Sequence, residues 1–375
     1  MTSRPETLWE IVTCDTRFGS DKSWTTQKMR RRKLRRSPQA AQQRARSTRK
    51  CQNAVMSKEL QTAGISDPQL RRDYLQCRKL NATHGKTYYL ATLLLPPAKR
   101  PFVHALYGFA RYADDIVDNI DERDLSARTV ALDDLRTELA SARKGHAATK
   151  PVISALLDTA DRWQIPDDLF SVFLDAMQQD LSVTSYASYA DLQNYMAGSA
   201  VAIGLQMLPI LEPSDFEAAT TGATALAEAF QLANFIRDVG DDLDRGRIYL
   251  PLADLAEFDV TPTTLQTRLV DDNLRCALSA QIERVRQLST AALPTIALLH
   301  PSVQDCIHTA RVLYCEIADQ VEKNDYQVFA GRARVPRRRR AQVAGRGWVR
   351  AQRARRKFGQ GTTSSSHPAA TSVDR

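Results

Sequence analysis

Apolar residues recur every three or four positions through most of the chain between residues 56 and 330. This spacing puts them on one face of an α-helix, whereas the two-residue alternation typical of strands is scarce. Pro, Gly or Asp stands at the breaks between periodic segments, as expected at helix ends. About eight core helices are predicted, over Pro101–Asn119, Leu132–Lys144, Val152–Trp163, Asp168–Gln179, Tyr189–Ile210, Ala218–Asp241, Asp272–Leu293 and Pro301–Lys323.

The periodic block is predicted to form a single all-α domain over residues 56–358. A chain of 375 residues often contains two or more domains, yet no linker rich in Gly, Ser or Pro divides this block. Residues 1–55 are predicted to be a basic, disordered leader, and residues 359–375 a polar, disordered tail.

Positive charge is concentrated at the two ends of the chain. Residues 1–50 hold 14 Lys/Arg against 4 Asp/Glu, and residues 331–375 hold 13 against 1, whereas the block between them holds 25 against 38. The basic run Arg30–Arg36 has no interleaved aromatic residues and no recognisable nucleic-acid-binding pattern. No nucleic-acid partner is therefore expected.

We expect the leader to be dispensable. It lacks the apolar segment of a secretory signal, and Glu6, Glu10, Asp15 and Asp21 argue against an organelle transit peptide. An alternative is that translation begins at Met56. A chain that starts at Met56 should fold and turn over normally, as measured by circular dichroism and product formation. A large loss of activity or solubility would show that the leader is part of the enzyme.

The sequence lacks the signatures of several other classes of protein. No stretch approaches the roughly 20 consecutive apolar residues of a membrane span, so a cytoplasmic protein, peripheral at the membrane at most, is expected. The six cysteines and six histidines have no zinc-site spacing and form no cluster. Neither a dinucleotide-binding glycine motif nor a phosphate-binding loop is present.

Two short acidic runs, Asp114–Asp118 and Asp238–Asp242, lie about 120 residues apart in otherwise apolar helical segments. Their carboxylates belong to Asp114, Asp115, Asp118, Asp238, Asp241 and Asp242. Residues four apart on a helix lie roughly 5–6 Å from each other on one face. Each run thus presents the hard oxygen ligands that Mg²⁺ prefers, with substrate phosphates completing the coordination. The runs predict a metal-bound diphosphate site, provided that they face each other.

Polar residues continue each acidic face along its helix. Tyr107 and Arg111 precede the first run at helical spacing, and Gln231 and Asn234 precede the second. The two amides can hydrogen-bond phosphate or hold the carboxylates, while nearby arginines supply positive charge. One acidic run alone is usually a solvated helix surface. Two such runs among apolar residues favour a functional site.

These motifs resemble those of the squalene/phytoene synthase family of head-to-head prenyl transferases. The similarity runs from about Asp73 to about Phe358. The matching segments are His84–Pro96, Ala105–Asp118, Gln231–Pro251 and Asp325–Pro336. The resemblance implies an isoprenoid-synthase fold with a central cavity. It also implies Mg²⁺-dependent joining of two geranylgeranyl diphosphates into phytoene through prephytoene diphosphate, with Mn²⁺ as an alternative ion and no nicotinamide cofactor.

The resemblance also assigns roles to individual positions. Implied catalytic residues are Tyr107, Arg111, Asp114, Asp118, Asp238 and Asp242. Implied substrate-binding residues are Lys86, Tyr88, Arg111, Tyr195, Gln231, Asn234, Tyr314 and Arg332. Implied metal ligands are Asp114, Asp115, Asp118, Asn234, Asp238, Asp241 and Asp242. Such a reaction needs fixed positive charge around the departing diphosphate and a dry, aromatic-lined cavity around the prenyl cation. Aromatic candidates are Tyr88, Tyr107, Phe109, Tyr195, Phe230 and Phe235.

Two positions depart from the family pattern, and one property stays open. Many members carry Ser where this chain has Gly85, and another Tyr where it has Ala197. Substrate length is open, because C15 and C20 substrates differ only in the depth of cavity they need. Dehydrosqualene or hydroxysqualene synthesis from two farnesyl diphosphates is the alternative activity. A non-catalytic assembly subunit is a further alternative, although such a subunit usually loses the acidic ligands.

Overall fold

A computed structural model describes residues 58–118 and 124–361. The leader, Met56, Asn119 and the tail from residue 362 onward lie outside the described residues, so the predictions made for them stay predictions. Within the described residues the chain is helical, apart from one isolated parallel bridge between Ser185 and Ile248. The predicted all-α fold class is confirmed.

The helices are numbered here in chain order. The first six are α1 Pro68–His84, α2 Lys86–Thr92, α3 Arg100–Asp118, α4 Leu125–Arg143, α5 Pro151–Trp163 and α6 Asp168–Gln179. Next come α7 Tyr189–Met196, a π-helical turn Ala197–Val201, α8 Ala202–Leu211 and α9 Phe216–Asp244. The remaining helices are α10 Leu252–Ala256, α11 Pro262–Gln266, α12 Asp272–Ala291, α13 Leu293–Ile296, α14 Pro301–Lys323 and α15 Arg337–Phe358.

Side-chain caps fix where several of these helices begin. Asp67, Asp124, Asp215 and Asp271 each accept a backbone N–H from the first turn of the helix that follows. Because Asp124 is the cap, α4 begins seven residues before the predicted start. The continuous stretch Tyr189–Leu211 confirms one long predicted helix, interrupted by the π-helical turn that contains Ala197.

Helix packing places α3 and α9 at the centre of the domain. Helix α3 packs against α1, α5 and α4, while α9 packs against α14, α12 and α8. One hydrophobic cluster runs through both groups and includes Phe102, Leu106, Leu232 and Ile236. Both helices that carry acidic runs therefore have apolar faces held by the core.

The α7–α8 stretch is long and apolar enough, by composition, to cross a membrane. However, 67% of its most apolar window is buried inside the helical domain. Core helices of water-soluble proteins meet the same criterion, so this stretch is read here as a core helix.

Candidate active site

The first acidic run lies at the C-terminal end of α3 and is paired with an arginine of the same helix. Arg111 donates to Asp114 over 2.6 Å and also pairs with Asp115. These contacts follow from the helical spacing of three and four residues. The guanidinium therefore holds two carboxylates of the run on one face.

The second run lies in the last two turns of α9 and is contacted from two directions. Arg237 Nε donates to Asp238 Oδ1 over 2.6 Å. From the segment before α15, Arg332 Nε lies 3.0 Å from Asp238 Oδ1 and 2.7 Å from Asp241 Oδ2. Arg332, which the sequence analysis names as a substrate-binding candidate, thus contacts the acidic run and brings a distant part of the chain to this site.

The two runs face each other across two arginines that follow α9. Arg245 Nη1 lies 3.3 Å from Asp118 Oδ2, and Arg247 Nη1 lies 3.6 Å from Asp118 Oδ1. Arg247 is nearly buried, and its backbone N–H donates to the backbone oxygen of Asp242 over 2.8 Å. Arginines that follow the second run therefore contact the first run, as a shared site would require.

One carboxyl group in each run has an unusually high pKa. Burial, followed by the neighbouring Asp118 carboxylate, raises the pKa of Asp114 to about 7. Burial and Asp238 likewise raise the pKa of Asp242 to about 7. Water reaches 43% of the Asp114 side chain, but protein atoms and other carboxylates crowd its remaining sides. The charged forms of these two carboxyl groups are therefore poorly solvated and lie beside other carboxylates, so a bound cation would stabilise them.

A further carboxylate, Asp180, was missed by sequence reasoning. It follows α6 and accepts hydrogen bonds from Tyr195 Oη at 2.7 Å and Tyr249 Oη at 3.0 Å. Arg247 Nη2 donates to its backbone oxygen over 2.7 Å. The only sequence signal is the polar run Gln178–Asp180 at the end of an apolar helix, and such runs are common at helix ends.

Four of the aromatic residues near the runs form stacked pairs. Tyr88 and Tyr107 stack with ring centroids 5.5 Å apart, and Phe230 and Tyr314 stack at 4.4 Å. The Tyr314 ring lies near enough to both Tyr88 and Tyr107 to raise the pKa of each, after the larger effect of burial. These rings form an apolar wall between α2, α3, α9 and α14.

Gly85 makes room for one of these rings. A Cβ atom at this position would lie 2.6 Å from Tyr107 Cζ and 2.7 Å from Tyr107 Oη. The phenol of Tyr107 therefore occupies the space that a serine side chain would take. This is the spatial consequence of the first departure from the family pattern.

The remaining predicted residues divide between the site and the core. Lys86 is exposed at the start of α2. Gln231 and Asn234 are half-buried on α9, respectively two turns and one turn before Asp238. Tyr195 is buried beside Phe235, with ring centroids 6.3 Å apart. Phe109, a candidate for the cavity wall, is buried on the core side of α3 and packs against Phe170 and Phe173.

A narrow cleft, with room for about one water molecule, adjoins the second acidic run. Its lining includes Phe235, Val239, Asp242, Arg247 and Tyr249. The lining contains both charged and aromatic side chains.

The carboxylates of the two acidic runs could bind a hard divalent cation whose remaining ligands come from a substrate. Within residues 58–118 and 124–361, no three acidic, His or Cys side chains converge on one point. Mg²⁺, however, is usually bound by one or two carboxylates, with phosphates and waters completing its octahedron. Two carboxylate runs with high-pKa members supply such donors on both sides of the site.

Comparisons with known proteins identify the family. A sequence model described as squalene/phytoene synthase matches residues 81–339. Phytoene synthase of Arthrospira platensis is 36% identical over 282 residues, which cover 72% of this chain and 90% of that protein. The 15-cis-phytoene synthase of Synechococcus elongatus is 32% identical over 278 residues, covering 71% and 89%. A solved dehydrosqualene synthase with bound ligand has a TM-score of 0.69 at 26% identity, covering 76% and 98%. This chain belongs to the squalene/phytoene synthase family.

Proposed function

We propose that this protein is a phytoene synthase, which joins two geranylgeranyl diphosphates head to head through prephytoene diphosphate. The observation that carries the proposal is the meeting of the two acidic runs, on α3 and α9, across Arg245 and Arg247. The named activity of the relatives from Arthrospira platensis and Synechococcus elongatus supports it. The protein would be the enzyme that commits C20 diphosphate to carotenoid synthesis.

Magnesium, with manganese as the alternative ion, would act as a Lewis acid on the diphosphate oxygens when bound. The donors proposed for it are Asp114, Asp115, Asp118, Asn234, Asp238, Asp241 and Asp242. No nicotinamide cofactor is proposed, because phytoene forms by loss of a proton rather than by reduction.

The arginines are proposed to exchange partners when substrate binds. Arg111, Arg237 and Arg332 now pair with carboxylates of the two runs. A diphosphate offers them denser negative charge and bidentate geometry. Moving these guanidinium groups to phosphate would free the carboxylates for the metal. Lys86, at the start of α2, would add a mobile positive charge at the entrance.

The aromatic walls are proposed to protect the reactive intermediates. Prenyl cations must be kept from water, and the faces of aromatic rings stabilise positive charge. Tyr88 and Tyr107 on one side and Tyr195 and Phe235 on another supply such faces. Tyr314 extends the first wall through its contact with Phe230.

Dehydrosqualene or hydroxysqualene synthesis from two farnesyl diphosphates is the second candidate. The fold similarity to a solved dehydrosqualene synthase favours it. We propose the C20 substrate because both cyanobacterial relatives are named for phytoene and share more sequence with this chain.

The test is incubation of the purified full chain with Mg²⁺ and either the C15 or the C20 diphosphate, followed by product identification. We expect phytoene from the C20 substrate and at least tenfold less C30 product at equal concentration. Omitting Mg²⁺ or adding excess EDTA should stop both reactions. A C30 hydrocarbon or alcohol as the main product would support the second candidate, and no prenyl product from either substrate would refute both.

Replacing Asn234 with alanine is expected to separate the two half-reactions. The amide lies one turn before Asp238, where it can orient phosphate beside the second run. The two diphosphates are not equivalent, because one substrate ionises first and the other supplies its double bond. The variant should keep the carboxylates and accumulate cyclopropyl diphosphate, detected by mass spectrometry at early times. Unreacted C20 diphosphate and phytoene in fixed proportion, with no intermediate, would contradict this expectation.

We also propose that the protein is cytoplasmic and binds peripherally to anionic membranes through α15. One face of this helix, formed by Ala344, Gly347 and Ala351, is buried. The basic face, defined here by its exposed cations, comprises Arg337, Arg338, Arg346, Arg353, Arg356 and Lys357. These six make no ion pair with residues 58–118 or 124–361, whereas Arg339 and Arg350 pair with Glu316 and Asp305. Each basic residue near an anionic bilayer contributes about 1 kcal/mol.

Vesicles that contain about a third anionic lipid are therefore expected to bind the protein at low salt and release it at 0.5 M salt. Changing Arg338, Arg346 and Arg353 together to Gln should weaken binding at least tenfold. Turnover of detergent-dispersed substrate should not change. The matched control replaces three arginines elsewhere on the surface with Gln: Arg268, which is exposed, and Arg136 and Arg275, which are partly exposed. Equal binding by the two variants, or none by the original protein, would contradict the assignment.

A further inference from the structure

Asp180 is a buried carboxylate without an ion pair in the part of the chain that the structure describes. Only 8% of the residue is exposed. Tyr195 Oη and Tyr249 Oη each donate to one of its two carboxylate oxygens. The nearby Arg247 guanidinium is directed to its backbone oxygen instead. A carboxylate oxygen can accept two hydrogen bonds, so each oxygen keeps acceptor capacity.

Four aromatic rings that pack against one another lie beside this carboxylate and form what is called here the aromatic box: Tyr186, Tyr195, Phe235 and Tyr249. Tyr195 lies 5.2 Å from Tyr186 and 5.8 Å from Tyr249, measured between centroids. Phe235 stacks on Tyr249 at 4.3 Å. An aromatic box beside a carboxylate is an arrangement that stabilises a cation rather than an anion.

Two features connect the aromatic box to the reacting groups. Phe235 and Tyr249 line the cleft that also contains Asp242 and Arg247. On its other side, the buried hydroxyl of Tyr186 has no hydrogen-bond partner within the described residues. Leaving a buried hydroxyl without a hydrogen-bond partner costs free energy. The Tyr186 hydroxyl therefore indicates that a bound ligand could contact this box.

We infer that Asp180 is a catalytic base of the second half-reaction, and that the aromatic box holds the carbocation whose proton it takes. This inference rests on the proposed function, because a phytoene synthase ends its reaction by losing a proton. The acidic runs are poor candidates for this base. Their oxygens are paired with Arg111, Arg237 and Arg332 and are the donors proposed for the metal.

The step balances without a further reactant. After the cyclopropyl diphosphate ionises and rearranges, the C40 cation carries one positive charge. The C–H bond beside the cationic carbon breaks, and its electron pair forms the new double bond. The proton passes to a free acceptor position on the Asp180 carboxylate, which becomes a neutral acid. The hydrocarbon leaves uncharged, and the acid later returns its proton to water.

The test replaces Asp180 with Asn in the full chain, which keeps the size of the side chain, removes the base and turns one acceptor oxygen into an NH2 donor. With C20 diphosphate and Mg²⁺, release of inorganic diphosphate should stay above a tenth of the original rate. Phytoene should fall at least tenfold, and C40 alcohols from capture of the cation by water should replace it. Asp180→Glu keeps a carboxylate and should restore phytoene in part.

The matched control is Asp158→Asn. Asp158 also accepts a hydrogen bond from a buried tyrosine, Tyr74 Oη at 2.7 Å, but lies on α5. It should leave the ratio of alkene to alcohol unchanged. If Asp180→Asn slows diphosphate release and phytoene formation equally, Asp180 only positions its neighbours and the inference is wrong. An unchanged phytoene yield would assign the base to released diphosphate instead.

Two further outcomes keep the inference distinct from the proposed function. If Asp180→Asn does not fold, judged by circular dichroism, Asp180→Ser decides, because it also removes the base: an alkene-to-alcohol ratio identical to that of the original protein would overturn the inference. If the original protein converts C15 but not C20 diphosphate, the proposed substrate fails. The same variants, measured with the C15 substrate for alkene against alcohol, still support or overturn the role of Asp180.

Discussion

Alanine at any one of four acidic positions is expected to abolish turnover and to leave the helical fold intact. The positions are Asp114, Asp118, Asp238 and Asp242. Each belongs to a face on which carboxylates recur at four-residue spacing, and the two faces meet across Arg247. Removing one carboxylate takes away one of the oxygen donors proposed for the metal that would neutralise the departing diphosphate. Phytoene formation and inorganic diphosphate release measure the effect, and EDTA should reproduce it reversibly.

Thermal stability should distinguish this effect from unfolding. Asp114 and Asp242 each have a pKa raised to about 7, so at pH 8 their ionised forms oppose folding. Alanine at either position should therefore leave the melting temperature unchanged or higher. The control is Asp175→Ala, which removes an exposed carboxylate paired with Arg136 and should keep full activity. A site variant that keeps more than about a tenth of the rate, under roughly 1.4 kcal/mol of barrier, would not have lost a metal ligand.

The long core helices could be predicted from the sequence, because a helix that packs on the core needs apolar residues at three- or four-residue spacing. Helices α6 and α14 have the predicted bounds, because α6 begins at Asp168 and α14 begins at Pro301. Helix α3 matches within one residue at its start. The chemistry requires the two acidic runs to lie near each other, so their proximity could be predicted. The distances between them could not be obtained from the sequence.

Helices α1 and α15 were not predicted, for a shared physical reason. Their buried faces are small or mixed, and basic residues dominate the rest. In α15 the buried residues are Ala344, Gly347 and Ala351, which leave almost no apolar periodicity. A helix of this kind is held by close packing on α14, which a one-dimensional pattern does not show.

Asp180 and Phe109 show that the surroundings of a site residue also cannot be predicted from its local sequence. Asp180 gains its meaning from Tyr195 and Tyr249, which approach it from 15 and 69 residues away. Nothing in its local sequence marks it. Phe109 lies within the first motif but on the opposite side of α3 from Tyr107, so nearness in sequence was misleading. Burial, rather than motif membership, separates the two aromatic residues.

Replacing Arg247 with alanine is expected to reduce turnover at least a hundredfold, more than any other arginine change near the site. Its side chain is only 10% exposed and lies 3.6 Å from Asp118 Oδ1. It also donates to the backbone oxygen of Asp180 and to the Tyr249 hydroxyl. Removing one partner of a buried charge pair typically costs about 3–5 kcal/mol, although Asp118 is partly hydrated and lowers that cost.

Arg245 provides the matched comparison, because it contacts the same carboxylate from a more exposed position. Its side chain is 35% exposed, and its Nη1 lies 3.3 Å from Asp118 Oδ2. Exposed pairs contribute about 0–1 kcal/mol, so Arg245→Ala should cost less than about tenfold. Arg268→Ala removes an exposed pair with Asp244 and should change nothing.

Arg247→Lys tests whether geometry matters beyond charge. A lysine keeps the positive charge but lacks the planar fork that reaches Asp118, Asp180 and Tyr249 together. The expected order of turnover is original protein, then Arg247→Lys, then Arg247→Ala, measured as kcat for the C20 diphosphate. Because Arg247 connects the acidic runs to Asp180, its loss should slow both half-reactions, with no accumulation of intermediate or C40 alcohol. Equal activity of Arg247→Ala and Arg245→Ala would mean that the buried contacts of Arg247 do not hold the two runs together.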